Sequence, residues 1–571
     1  NMKYVLGIKY GGHDSSAALL VNGKLVAACA QERYTRDKHS KLFPTEAIND
    51  CLKAAGIKIN QIQELAFVND LKMMIRELYL KTALKNDDRL KFLLNDIHRI
   101  EEWQNMDKII RAKLGYKGTI RYYRHHLCHI ASSYFPSGFK NALCLSIDGV
   151  GEFETGIIAS GKSGKIKILN NDNVYPNSLG LLYSAITHYL GWKHHCDEGI
   201  IMGLAPYGNS RSKIIRKKNI SYLSIFKKIL QEKENFNYKV NLEYIDYFSV
   251  RDKWVTDKFI KIFGPKRNWN QPLTQHHKNI AAALQDQLEN VVLNQLKKAR
   301  KIFKFDKLCL AGGVALNCSL NGKISKSKIF KEIFIQPASG DDGTAYGAAL
   351  LAYSKNKKNY SPKKMHNFYK GSNFSNGQIK NQLLKSKVKF TKPKNLYKEV
   401  SKYLKNGKII GWFQGGAEFG PRALGNRSIL CRPYPNSMKD YLNKRVKFRE
   451  EFRPFAPSVL NEFREEFFHI SQDSPHMLMA CRAKKNKIKS IPATVHIDGT
   501  CRVQTVKKDI NLKFYNLIKN FYEESGVPVL LNTSFNIKGQ PIVNTPKEAV
   551  ETFKSTKIDV LAIGDYLLTK K

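Results

Sequence analysis

The chain states one supersecondary pattern twice, and this repetition constrains its fold more than any other feature. Residues 4–10 read as a strand, Gly11-Gly12-His13-Asp14-Ser15-Ser16 as a turn, residues 17–21 as a second strand, Asn22-Gly23 as a tight turn and residues 24–31 as a third strand. Asn-Gly between apolar runs marks a hairpin, because both residues accept the positive φ of a two-residue turn. The pattern returns at Ala142. It runs through residues 143–147, the turn Asp148-Gly149-Val150-Gly151-Glu152, a strand over 155–160, a Gly-Lys-Ser-Gly turn and residues 165–169. Two such lobes imply an internal duplication around a central cleft, in an α/β fold whose ligand-binding turns lie just beyond strand ends.

At 571 residues the chain exceeds one ordinary core and should form two domains or more. No apolar run approaches the roughly 20 residues of a membrane span, and no basic stretch followed by an apolar core opens the chain. A soluble, unexported, cytoplasmic protein is expected. Ten cysteines without a C-x-x-C pair fit a reducing compartment and argue against a disulfide framework or a structural zinc site. The net charge of +46 invites a nucleic-acid partner. The lysines are spread along the chain, however, among abundant Asn, Ile and Tyr, as in a compositional bias, so no dedicated nucleic-acid surface is expected.

Residues 44–55 carry helix punctuation, an early Pro and a closing Gly56, and the charged residues 71–114 read as helical. Residues 199–208 read as a loop that interrupts any helix, and 209–270 as an insertion without assignment. A long amphipathic helix over 277–302 leads into a buried strand at 307–310, the turn Ala311-Gly312-Gly313-Val314-Ala315-Leu316-Asn317 and another helix. The polar stretch 354–364 places a domain boundary, giving domains at 1–355 and 370–571 with a linker at 356–369.

Three groups of residues carry chemistry. His125, His126, Cys128 and His129 fall within one and a half turns of a predicted helix, with His125 and His129 on one face. Two neutral imidazoles at that spacing can grip a divalent metal and take further ligands from carboxylates elsewhere. Asp148 and Asp341 are the candidates, each in a Gly-rich turn after an apolar run; His126 and Asp342 are open alternatives. The Gly312-Gly313 turn, between a strand and a helix, lets backbone N–H groups approach a phosphate or nucleoside. Arginines set among Gly, Pro and Phe in residues 415–430 and 447–457 suit bidentate recognition of phosphate or carboxylate in a buried anion site.

These stretches resemble the O-carbamoyltransferases of the nodulation-factor and aminoglycoside-tailoring type. H-H-x-x-H-x-x-S, D-G-x-G-E, M-G-L-A-P-Y-G, G-G-V-A-L-N, G-P-R-A-L-G-x-R-S, F-R-P-F-A-P and L-N-T-S-F-N occur in the family's order. The resemblance implies a duplicated ASKHA-type nucleotide-binding domain, like that of the tRNA threonylcarbamoylation enzyme, followed by a YrdC-like α/β domain. It implies an ATP-dependent enzyme that forms carbamoyl-adenylate from carbamoyl phosphate in the C-terminal domain and passes the carbamoyl group to an acceptor hydroxyl in the N-terminal one. By the same resemblance His125, His129, Asp148 and Asp341 hold a divalent metal, with iron the expected ion. Gly312, Gly313, Asn317 and Gly340 meet the nucleotide. Arg422, Lys447, Arg453, Arg502, Asn532 and Ser534 bind carbamoyl phosphate and ATP with its Mg. His13 and Asp14 stand where acceptor and carbamoyl group meet, with His13 as the base. The partners are small molecules, with a homodimer as the default assembly. A tRNA-modifying enzyme of the threonylcarbamoyl class and a non-catalytic binder of acidic glycans are the rival functions. Co-purifying tRNA would favour the first, and carbamoyl-phosphate-dependent ATP consumption would dismiss the second.

Overall fold

The computed structural model describes residues 3–215, 219–355, 357 and 360–570. Its first sheet runs, from one edge, Lys24–Ala30, Ser16–Val21, Tyr4–Lys9, Glu64–Val68, Thr119–Tyr123. The first three strands are antiparallel neighbours, and the last two join in parallel. The second sheet repeats this order with Lys165–Val174, Glu154–Lys162, Asn141–Ile147, Lys307–Ala311 and Glu332–Ile335, paired in the same senses. The repeat read from the sequence is therefore a repeat of topology, and the fold is a mixed α/β arrangement with a duplicated sheet. Lys9 pairs with Ser16 at the mouth of the His13 turn, and Ile147 with Gly156 at the mouth of the Asp148 turn, so the two turns occupy equivalent strand ends.

Helices His125–Ser137 and Thr344–Lys355 cross between the lobes, buried along most of their length. Gly347 permits that crossing, since a Cβ there would stand 1.7 Å from the Cys128 carbonyl oxygen. The C-terminal part forms a seven-stranded mixed sheet in the order Gln504–Val506, Ala456–Leu460, Val529–Ser534, Arg427–Cys431, Ile410–Phe413, Val560–Ile563, Tyr566–Thr569. Helices Leu396–Lys405 and Leu512–Ser525 pack on one face through Leu404, Phe514 and Phe521, and Asn376–Lys385 and Pro546–Ser555 on the other through Leu383 and Phe553.

Three expectations change. Glu198–Leu204 is a helix, not a loop. Burial of Ile200, Ile201 and Leu204 outweighs the poor helix propensity of its glycines. Residues 209–270 are no appendage, because Tyr222, Phe226, Ile229, Tyr238 and Phe259 are buried in the same core as the second lobe. Residues 532–536, whose polar sequence reads as a turn after a strand, begin inside the strand Val529–Ser534. Helices do occupy 71–114, in several pieces. Of the expected linker, residues 356, 358 and 359 lie outside the described residues. Part of the rest packs on the first long helix, with Lys363 N donating to Phe135 O (2.9 Å) and Met365 N to Pro136 O (2.8 Å). No helix among the described residues is long and apolar enough to cross a membrane.

Candidate functional site

The helix His125–Ser137 has no side-chain cap of its own at its N-terminus. Glu152, fully buried at the end of the Asp148 turn, supplies one from the neighbouring lobe. Its Oε1 accepts from His125 N and from Asp70 N, both at 2.8 Å. A carboxylate at a helix N-terminus satisfies unpaired N–H groups and opposes the helix dipole. It also holds the first turn, where both imidazoles sit, against the strand end that carries Asp148.

Four donors converge there. Asp148 Oδ2 lies 2.9 Å from both His125 Nε2 and His129 Nε2, and the two Nε2 atoms are 3.1 Å apart. Asp341 Oδ1 is 3.4 Å from His125 Nε2 and 3.7 Å from His129 Nε2. All four ligand atoms lie within 4.8 Å of one another, the one such His/Cys/Asp/Glu group among the described residues. His126 is turned away, its Nδ1 at 2.7 Å from Ser146 Oγ and its Nε2 at 2.9 Å from the Glu154 carbonyl. Asp342 also stays outside, its Oδ1 accepting from Gly343 N. Burial would strip His129 of its proton, yet the Asp148 and Asp341 carboxylates lift it to about 9. Asp148 is held well below the carboxylate range despite its burial, by hydrogen bonds to the two imidazoles. The carboxylates thus draw positive charge into the centre, and two nitrogens with two oxygens make a donor set that fits an imidazole-tolerant divalent ion.

Lys9 went unnoticed in the sequence, although a lysine in an otherwise apolar strand was the signal. It is 2% exposed, donates to Gly11 O (2.8 Å) and places Nζ 3.7 Å from Asp341 Oδ2. In the turn beyond, His13 Nδ1 meets Asp14 Oδ2 at 2.7 Å, while His39 Nδ1 meets Asp14 Oδ1 at 2.7 Å. Burial favours neutral His13, but the bond to Asp14 raises it to about 9. The pairing thus moves His13 off the near-neutral titration of a free imidazole.

The basic segment faces the same space. Lys447 is 4% exposed, and its Nζ donates to Ser534 O (2.8 Å), Ser534 Oγ (3.2 Å) and Asn536 Oδ1 (2.6 Å). Burial, then Arg449 and Arg453, press its pKa well below the usual lysine range. Arg449 and Arg502 both donate to the Pro454 carbonyl at 3.1 Å. The Nε atoms of Arg422, Arg449 and Arg502 have no partner among the described residues. Arg453 pairs with Glu450 (3.3 Å), which also meets Lys538 (3.8 Å). Cations outnumber carboxylates, and their mutual repulsion and desolvation are what a bound polyanion could relieve.

Not every arginine of the motif belongs to it. Arg427 is fully buried, stacks 3.6 Å from the Phe413 ring centroid and donates to the carbonyls of Ser372, Gln414, Gly415 and Asn426, so it braces the loop. Glu418 pins the same loop, its Oε1 accepting from the N–H groups of Leu424, Asn426 and Arg427. The Asn532 amide nitrogen is spent on Ala423 O, Ser458 Oγ and Gln504 Oε1. Asn317 caps its own helix through Leu320 N and exchanges hydrogen bonds with Gln285. Gly312, at φ +91°, is needed for packing, since a Cβ would stand 2.2 Å from Ile147 O.

One chamber of about 1380 Å³ joins the groups. His13, Asp14, Asp148, Asp341, Gly313, Asn317 and Gly340 line it together with Arg422, Lys447, Arg453, Arg502, Asn532 and Ser534, whereas His125, His129 and Gly312 do not. The volume exceeds the roughly 300–1,000 Å³ of an ordinary small-molecule pocket.

The family model described as carbamoyltransferase N-terminus matches residues 4–350, and that described as carbamoyltransferase C-terminus matches 401–570. The chain is 36% identical to the uncharacterised protein sll1178 of Synechocystis sp., over 100% of this chain and 97% of that one. It is 35% identical to the nodulation protein NolNO of Sinorhizobium fredii, over 98% of this chain and 79% of the relative. With the 3'-hydroxymethylcephem-O-carbamoyltransferase of Amycolatopsis lactamdurans it shares 32% identity, over 45% of this chain and 48% of that protein. With both halves matched in order, and with relatives aligned along nearly its whole length, the chain belongs to the carbamoyltransferase family and is an enzyme of that class.

Proposed function

We propose that the protein makes carbamoyl-adenylate from carbamoyl phosphate and ATP and transfers the carbamoyl group to a hydroxyl of a sugar or natural-product acceptor. The observation that carries this is the single chamber lined both by a cation group short of counter-charge and by Asp148, Asp341 and the His13–Asp14 pair. Carbamoyl phosphate and the ATP polyphosphate with its Mg are the anions such a group is built to hold. A relative whose name specifies a hydroxymethyl acceptor supports oxygen as the atom carbamoylated. Residues 1–355 would be the transfer domain and 370–571, after the linker 356–369, a YrdC-like adenylate-forming domain.

In the transfer step the acceptor oxygen bonds to the carbamoyl carbon, the bond from that carbon to the adenylate oxygen breaks, and AMP leaves. His125, His129, Asp148 and Asp341 would hold a divalent transition ion, with iron the expected one. When bound, it supplies Lewis-acid stabilisation of negative charge on the reacting oxygens. His13 Nδ1 is committed to Asp14, which leaves Nε2 as the ring atom that can take the hydroxyl proton. Because Asp14 favours the charged ring, the accepting form is the minor one at neutral pH. Lys447, Arg453 and Arg502 orient and neutralise the phosphates.

The test is pyrophosphate release from ATP, measured with and without carbamoyl phosphate. Release that depends on carbamoyl phosphate is the expected result; its absence in metal-loaded protein refutes the proposal. Threonylcarbamoylated tRNA formed by the purified protein would replace it with a tRNA-modifying function.

A further inference from the structure

Asp14 is clamped from both sides. His13 Nδ1 meets one carboxylate oxygen and His39 Nδ1 the other, each at 2.7 Å. Asp14 and His39 both sit in the left-handed region, at φ +56° and +58°, which is uncommon outside Gly but open to Asp and His. Ser15 N donates to Ser40 O at 3.0 Å and pins the His39 loop against the His13 turn. The Asp14 carboxylate is 13% exposed, His39 35% and His13 43%, so the clamp grades from protein interior to chamber. Around it stand Glu32, which is partly buried, Cys196 on His39, and His195, whose ring stacks on His13 at 6.1 Å. Lys9 and Asp341 also act on His13 across the turn.

A carboxylate bonded to one imidazole can rotate, and the imidazole can flip with it. One fixed at both oxygens cannot. Which nitrogen of a histidine faces its target is set by the hydrogen bond that the other makes. We propose that His39 is a positioning residue: by donating to one Asp14 oxygen it turns the other onto His13 Nδ1 and so keeps His13 Nε2 facing the chamber. The orientation rests on the geometry alone; its consequence for catalysis rests on the carbamoyl-transfer function proposed above.

The test compares His39→Asn, whose side-chain nitrogen stands near the Nδ1 position, with His39→Gln, which carries it one atom further, and with His39→Ala. Histidine-selective ¹⁵N spectra report the His13 Nδ1–H, hydrogen-bonded and slow to exchange, in metal-free wild type. It should persist in the Asn variant and be lost in the Gln and Ala variants. With glycerol in excess as the probe acceptor, the Gln and Ala variants should transfer the carbamoyl group about 10–100-fold more slowly and the Asn variant close to wild type, with pyrophosphate release unchanged in all. An unaltered His13 signal in the Gln variant overturns the inference, as does an Asn variant as impaired as Gln. Wild type without pyrophosphate release dependent on carbamoyl phosphate, but with the spectral pattern intact, refutes the proposed function and leaves the role of His39 standing.

Discussion

Replacing Glu152 by Gln should weaken metal binding although Glu152 touches no ligand atom of the centre. The carboxylate accepts two backbone N–H bonds at 2.8 Å, one from His125 itself, in a site with no exposure. A hydrogen bond to a charged group contributes about 1.5–3 kcal/mol and a neutral one about 0.5–1.5, so removing the charge while keeping the shape costs about 1 kcal/mol per bond. Two bonds give about 2 kcal/mol, or a roughly 30-fold loss of affinity if all of it reaches the first helical turn. That lies inside the roughly 10–100-fold typical of residues that support metal ligands from behind. The assay is titration of metal-free protein with Fe(II) or Zn(II) against a chromophoric chelator. Glu399→Gln, which removes a surface pair to Lys402 at 3.3 Å, serves as the control and should change nothing. A Glu152→Gln affinity within about twofold of wild type, in protein that melts normally, would refute the link between the buried cap and the centre.

Three further outcomes are expected. His129→Ala and Asp341→Ala should lose bound metal on elemental analysis, while His126→Ala should keep it, because both its ring nitrogens are engaged by Ser146 and Glu154. Arg453→Ala should abolish carbamoyl-adenylate formation but leave transfer from supplied adenylate largely intact, and His125→Ala should do the reverse; one substitution removing both activities in folded protein would contradict the division. His13→Ala should slow transfer by about 10²–10⁴-fold without changing metal content. Since Asp14 raises His13 from 6.5 to about 9, its neutral form grows with pH, so wild-type transfer should climb from pH 7 and level off above about 9; His13→Gln should lack that limb. By the same linkage, the stability that His13 gains from Asp14 is complete below pH 6.5 and is lost as pH rises through about 9.

Much of the architecture is legible in the chain by itself. The two strand-turn-strand runs foretell two sheets of like order, because hairpin turns and alternating burial act over a few residues, and the i, i+4 spacing already puts His125 and His129 on one face. The four metal-site residues could be chosen for the same reason: each lies at a strand end or helix start, where a local pattern fixes its direction. What tertiary structure decided is which neighbours each group meets. His125 and His126 are equal in sequence, and Ser146 with the Glu154 carbonyl removes one of them. Arg427 and Arg422 share a motif, yet Glu418 and Phe413 turn the first inward while the second lines the chamber. His39, 25 residues from Asp14, has no periodic relation to it and becomes its partner only when the loops close. Pairings of this kind depend on desolvation and on charges brought together across the fold, and no local spacing encodes either.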